Sequence, residues 1–114
     1  MKSIKEQQAA YAQRLLTTLR DELVGRQITA VLVVAADGRP GLDVTDSRFR
    51  TRRVYAHLAF CWFYWGDRED ERVTSLRMPA AVDRIEQAAQ DGWHEGEQGE
   101  LGMDLSRIVD AYRA

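Results

Sequence analysis

The sequence predicts an α+β fold: a helix, a three- to four-stranded antiparallel sheet, a second helix, and a C-terminal helix on a tether. Three observations carry this. Apolar residues recur at helical spacing near both ends of the first ninety residues. Between them lie short β-branched and aromatic runs punctuated by turn dipeptides. Five of the six residues Phe60-Cys61-Trp62-Phe63-Tyr64-Trp65 are aromatic, and a strand divides such a run between its two faces, Phe60, Trp62 and Tyr64 against Cys61, Phe63 and Trp65.

In the first helix, about Ser3 to Gly25, Ile4, Tyr11, Ala12, Leu15, Leu16, Leu19 and Leu23 form one apolar stripe. Ser3 followed by Glu6 is a capping box, and Gly25 is a C-terminal stop. Ile28 to Ala36 is β-branched and too short for a typical helix, which suggests a strand buried on both faces. Asp37-Gly38 and Pro40-Gly41 turn the chain, and Leu42-Asp43-Val44-Thr45 begins a half-exposed strand. Asp46 to Arg53 reads as an arginine-rich connection. Val54 to Trp65 is long enough for one bent strand or a tight pair breaking near Ala59. After a charged loop, Asp67 to Arg72, a second helix from about Pro79 to Gln90 presents Val82, Ile85, Ala88 and Ala89. Asp91 to Gly102, with four glycines and four acids, has the composition of a mobile tether. Leu105, Ile108, Val109 and Tyr112 then mark a short helix near 104–113 that must dock to persist.

The 114 residues fit one domain, with a core at about 3–90. A single cysteine excludes an internal disulfide and fits a reducing, cytoplasmic setting. No apolar stretch reaches membrane-spanning length, and the first twenty residues lack a signal-peptide core, so no membrane association is expected. Net charge is −2, but unevenly spread: residues 1–26 and 27–66 each sum to +2 and residues 67–114 to −6. The acidic C-terminal half would repel a polyanion, so nucleic acid is not the expected partner.

Candidate chemistry is sparse. Arg48-Phe49-Arg50-Thr51-Arg52-Arg53 mixes bases with an aromatic, as single-strand binders do, and makes Arg48, Arg50, Arg52 and Arg53 the best polar-ligand candidates. A solvated loop pairing with acids among residues 67–71 is the plainer reading. Tyr55, His57, Trp62 and Tyr64 could border an aromatic pocket. His57 and Cys61 would stand about 13 Å apart along a strand, too far to act together without a sharp turn. Cys61 therefore reads as a buried structural residue. Asp91 to Glu97 falls short of a calcium loop because Trp93 takes a ligand position. No phosphate-binding glycine loop, nucleophile elbow or zinc-protease motif occurs, so no catalytic residue, metal or cofactor is expected.

At the aromatic run followed by Trp65-Gly66-Asp67-Arg68 and the later Ala80-Ala81-Val82-Asp83-Arg84-Ile85, the chain resembles small proteins of unknown function common in high-GC Gram-positive bacteria. The resemblance spans about residues 12–90. It implies a bacterial α+β domain with an aromatic strand ending in Trp-Gly, and no catalytic residues. With one sheet face covered by helices, the other aromatic face calls for a lid, from the terminal helix or a second protomer. The expected function is a non-catalytic interaction or regulatory module forming a homodimer. The alternatives are a nucleic-acid binder using the Arg48–Arg53 loop and a small-ligand protein or enzyme using the aromatic pocket.

Overall fold

The computed structural model describes residues 3–95. Helix α1, Ile4–Gly25, begins at Ser3, whose Oγ accepts the Glu6 N–H at 3.1 Å. Its end differs from the expected glycine stop. Gly25 is the last helical residue, and the left-handed position falls on Gln27, φ 65°. Ile28 N–H bonds Leu23 O and Gln27 N–H bonds Val24 O, the paired closure that satisfies a helix's last carbonyls. Ile28 then packs on the core, which compensates for the missing glycine.

Five strands follow as an antiparallel meander in the spatial order of the chain: β1 (Ala30–Val34), β2 (Pro40–Thr45), β3 (Thr51–His57), β4 (Trp62–Tyr64) and β5 (Arg72–Thr74). Helix α2, Met78–Asp91, starts with a proline in its first turn and closes the fold. Both helices lie on one face. α1 packs on β1, β2 and β3, and α2 packs on β5 and against α1. Arg26 bridges them through Asp83 at 2.7 Å and Glu86 at 3.1 Å.

The core follows from strand alternation. Leu42, Val44, Val54 and Phe63 point at the helices and meet Leu16, Leu19, Leu23, Val82 and Ile85, all essentially inaccessible. Each such side chain contributes about 1.5–3 kcal/mol by leaving water.

Three readings of the sequence need correction, and one open alternative is decided. β1 is not buried on both faces, because it is an edge strand with Val31 and Val34 more than half exposed. Pro40 and Gly41 belong to β2, and the turn before them is made by Asp37 and Gly38, φ 88°. Of the two arrangements open for residues 54–65 the structure has the tight pair, broken at Leu58 to Cys61, where Cys61 takes the left-handed conformation, φ 54°. The charged loop holds a 3₁₀ turn, Glu69–Glu71, and leads into β5, a strand the sequence did not signal. The C-terminal helix expected near 104–113, and residues 96–102 of the tether, lie outside the described residues.

Candidate functional site

The sheet face away from the helices carries the aromatic candidates. Alternation along β3 and β4 sends Tyr55, His57, Trp62 and Tyr64 to this side, and their registers, Tyr55 opposite Tyr64 and His57 opposite Trp62, make them neighbours. Tyr55 and Tyr64 stack with ring centroids 5.6 Å apart, and His57 lies 6.1 Å from Trp62 and 6.4 Å from Tyr64. Phe60, in the turn, stacks on His57 at 4.6 Å. The structure thus assembles all four aromatic candidates into one cluster.

This cluster is already lidded from within the chain. The Arg39 guanidinium lies 4.3 Å above the Tyr55 ring and donates to the Tyr64 hydroxyl at 3.1 Å. Arg53 runs flat across β2, held by both oxygens of Asp43, at 2.7 and 3.2 Å. Gly41 makes room for it, since a Cβ there would come within 2.9 Å of the Arg53 stem. Arg72 covers the Trp62 ring at 4.6 Å. Tyr55 and Tyr64 are consequently buried, at 7% and 2% exposure. Burial pushes the Tyr64 phenol up to about 12, against the opposing pull of Arg39. His57 is pushed below its ordinary value by burial, and its Nδ1 accepts the Phe60 N–H at 3.2 Å, which places the ring proton of the neutral form on Nε2.

The arginine candidates do not converge. Arg53 joins the open face, whereas Arg52, one residue earlier, points to the helix side. Arg52 donates to Glu71 at 2.8 Å and to the carbonyl of His94 at 2.6 Å. Arg50 donates to Asp46 and to the carbonyl of Trp93. Arg48 stands exposed in the β2–β3 turn beside Gly92, and Phe49 there is 90% exposed with φ 63°.

Two groups the sequence reading passed over organise this corner. The Asp46 carboxylate is fully enclosed and accepts the backbone N–H groups of Arg48, Arg50 and Trp93 at 2.8–3.0 Å. Desolvation opposes its charge, yet the three N–H donors and Arg50 prevail and hold the carboxyl below its ordinary range. Trp93 is 5% exposed, packs on Trp65 with centroids 6.4 Å apart, and donates Nε1–H to Arg50 O. Trp93 and His94 are therefore anchored, contrary to the tether reading. The available signal was Trp93 itself, since a large aromatic in a glycine-rich acidic stretch needs cover. His94 then meets Asp70 at 2.8 Å and, through that bond first, keeps the Asp70 carboxyl low.

Beyond β4 an open groove of about 640 Å³ is lined by Phe60, Cys61, Trp62, Glu69, Asp70, Arg72, Val73, Thr74 and Leu76. Cys61 is partly exposed here, not buried as the sequence suggested, because the turn at 58–61 lifts it out of the strand. Its Sγ donates to Leu58 O at 3.4 Å. Among the described residues no group of three or more His, Cys, Asp or Glu side chains is placed to hold a metal, and no helix is long and apolar enough to cross a membrane.

The fold and these clusters define an α+β meander whose aromatic face is closed by arginines. Comparison of the chain with protein-family models, curated proteins and solved structures found no match.

Proposed function

We propose that the domain is a non-catalytic interaction or regulatory module of the cytoplasm that works by associating with a second copy of itself. One observation supports this above others. Arg50, Arg52 and Arg53 and the Tyr55–Tyr64 pair are engaged within the chain, while Val31, Val34, Phe49 and Leu76 are left 55%, 73%, 90% and 77% exposed. Val31 and Val34 share the edge strand β1, and exposed apolar side chains on an uncharged sheet edge suit contact with another chain. Sedimentation equilibrium across a concentration series tests the reading. A rising mass average is expected, and a 13.0 kDa species at every concentration would overturn it.

The groove beside β4 supports a second reading, binding of a small ligand. Its walls combine the Phe60 and Trp62 rings with Glu69, Asp70 and Arg72, a mixture suited to a flat polar molecule. Ligand-induced NMR shifts confined to residues 60–62 and 72–76 would favour it.

A further inference from the structure

The two edges of the sheet differ in kind. β5 is three residues long and begins with Arg72, and short or charged edges resist pairing with other chains. β1 is five residues, Ala-Val-Leu-Val-Val, without charge or proline. Among the described residues no element pairs with its outer edge.

The hydrogen-bond phase of that edge is fixed by β2. Thr45 N–H bonds Thr29 O at 3.0 Å, and Ala35 N–H bonds Arg39 O at 2.8 Å. In an antiparallel ladder alternate residues bond to the same neighbour, so residues 29, 31, 33 and 35 face β2. The N–H and C=O groups of Ala30, Leu32 and Val34 therefore project from the free edge. Val31 and Val34, the exposed side chains, lie on the same five-residue strand.

We propose that this edge pairs with β1 of a second copy, antiparallel about a twofold axis at Leu32, joining two five-stranded sheets into one of ten. The inference rests on the self-association reading and gives it a site. A second copy is the occupant because the three outward residues are symmetric about Leu32. Ala30 pairs with Val34 of the partner subunit, Leu32 with its own equivalent, and Val34 with Ala30 of the partner subunit. Six hydrogen bonds form and every outward group of both strands is used. Val31 meets Val33 of the partner subunit in a non-hydrogen-bonded pair of β-branched side chains. β1 carries no charged side chain, so no like charges oppose each other across the axis. The aromatic face does not compete as the contact, because Arg39, Arg53 and Arg72 already cover it. An edge-to-edge contact is small, and the dimer is accordingly reversible and concentration-dependent.

Two variants of the full chain test the pairing. Val34→Pro removes an outward N–H and leaves the β1–β2 ladder its bonds. It should weaken dimerisation at least tenfold by sedimentation equilibrium, with an unchanged circular dichroism spectrum. Val31→Cys with Val33→Cys, in a Cys61→Ser background, should yield a disulfide-linked dimer on mild oxidation, because opposed residues of a non-hydrogen-bonded pair are close enough for a disulfide. A dimer that persists in the proline variant, or a cysteine variant that does not crosslink, overturns the pairing while leaving self-association through another surface intact. A parent chain that is monomeric throughout sinks both. If Val34→Pro fails to fold, the crosslinking result decides alone.

Discussion

Arg52 and Glu71 meet at 2.8 Å in a nearly closed corner, with side-chain exposures of 10% and 5%. The pair ties β3 to the 3₁₀ turn before β5, and the second Arg52 nitrogen ties both to the His94 carbonyl beyond α2. Three segments distant in the chain thus share one guanidinium. The backbone completes the corner, with Trp65 N–H bonding Glu71 O at 2.9 Å.

Gly66 is the residue that leaves space for this pair. A Cβ at that position would overlap the Glu71 carboxylate. Gly66→Ala should therefore displace Glu71 from Arg52 and cost about 3–5 kcal/mol, the penalty for breaking a buried ion pair on one side. Gly25→Ala is the control, because nothing lies within 4 Å of its Cβ and it ends a helix. Denaturant unfolding should find it neutral or stabilised by up to about 1 kcal/mol. Equal stability of the two variants would refute the account of the corner.

Asp46 should make stability depend on acid. Its folded carboxyl sits below the ordinary value of 3.8, so its contribution is fully present above about pH 5 and is lost as pH falls through the folded value. Asp46→Asn keeps the shape but gives up the charge that three N–H groups point toward. It should cost about 2–4 kcal/mol at pH 7. The difference from the parent chain should shrink in acid, and a gap that stays constant to pH 2 would mean that the carboxylate charge contributes nothing.

Trp93 is predicted to belong to the core. Trp93→Ala should cost about 3–5 kcal/mol, and Trp93→Phe, which keeps most of the ring but drops the bond to Arg50 O, about 1–2 kcal/mol. Thermal melts of the two variants check this. Parent-like stability of Trp93→Ala would return the segment after α2 to a loose tether.

Tyr64 should ionise late. Because burial raises its phenol to about 12 from 10.0, the unfolded chain releases this proton first, and stability falls as pH rises between those values. Ultraviolet titration of Tyr64→Phe should lack the late step near pH 12. Loss of the Arg39 bond should also cost about 1 kcal/mol at neutral pH.

Much of the fold was legible because its signals are local. Ser3 and the leucine stripe mark α1, Pro79 and the alanine-rich stripe mark α2, and both appear within two residues of the expected bounds. The aromatic strand divided its faces as alternation requires, with Phe63 and Trp65 buried on the core side and Trp62 and Tyr64 on the other. β5 was missed because Arg72-Val73-Thr74 is too short to show periodicity. The break between β3 and β4 was blurred because a cysteine, not a glycine, takes the left-handed position. The arginine segment misled for another reason. Arg52 and Arg53 are consecutive in a strand, so they serve opposite faces, and their partners Glu71 and Asp43 lie 19 and 10 residues away.

Because every strand pairs with its neighbour in sequence, the sheet can zip together by successive hairpins, each closing only a short loop. The clasp of Trp93 on Asp46 and Arg50 is different, for it spans 43 to 47 residues. It gains its contacts only once the β2–β3 turn and α2 are both in place. The indole should accordingly fall silent to solvent after the meander has formed, making Trp93 a reporter of the final step of folding and of the first opening of the native state.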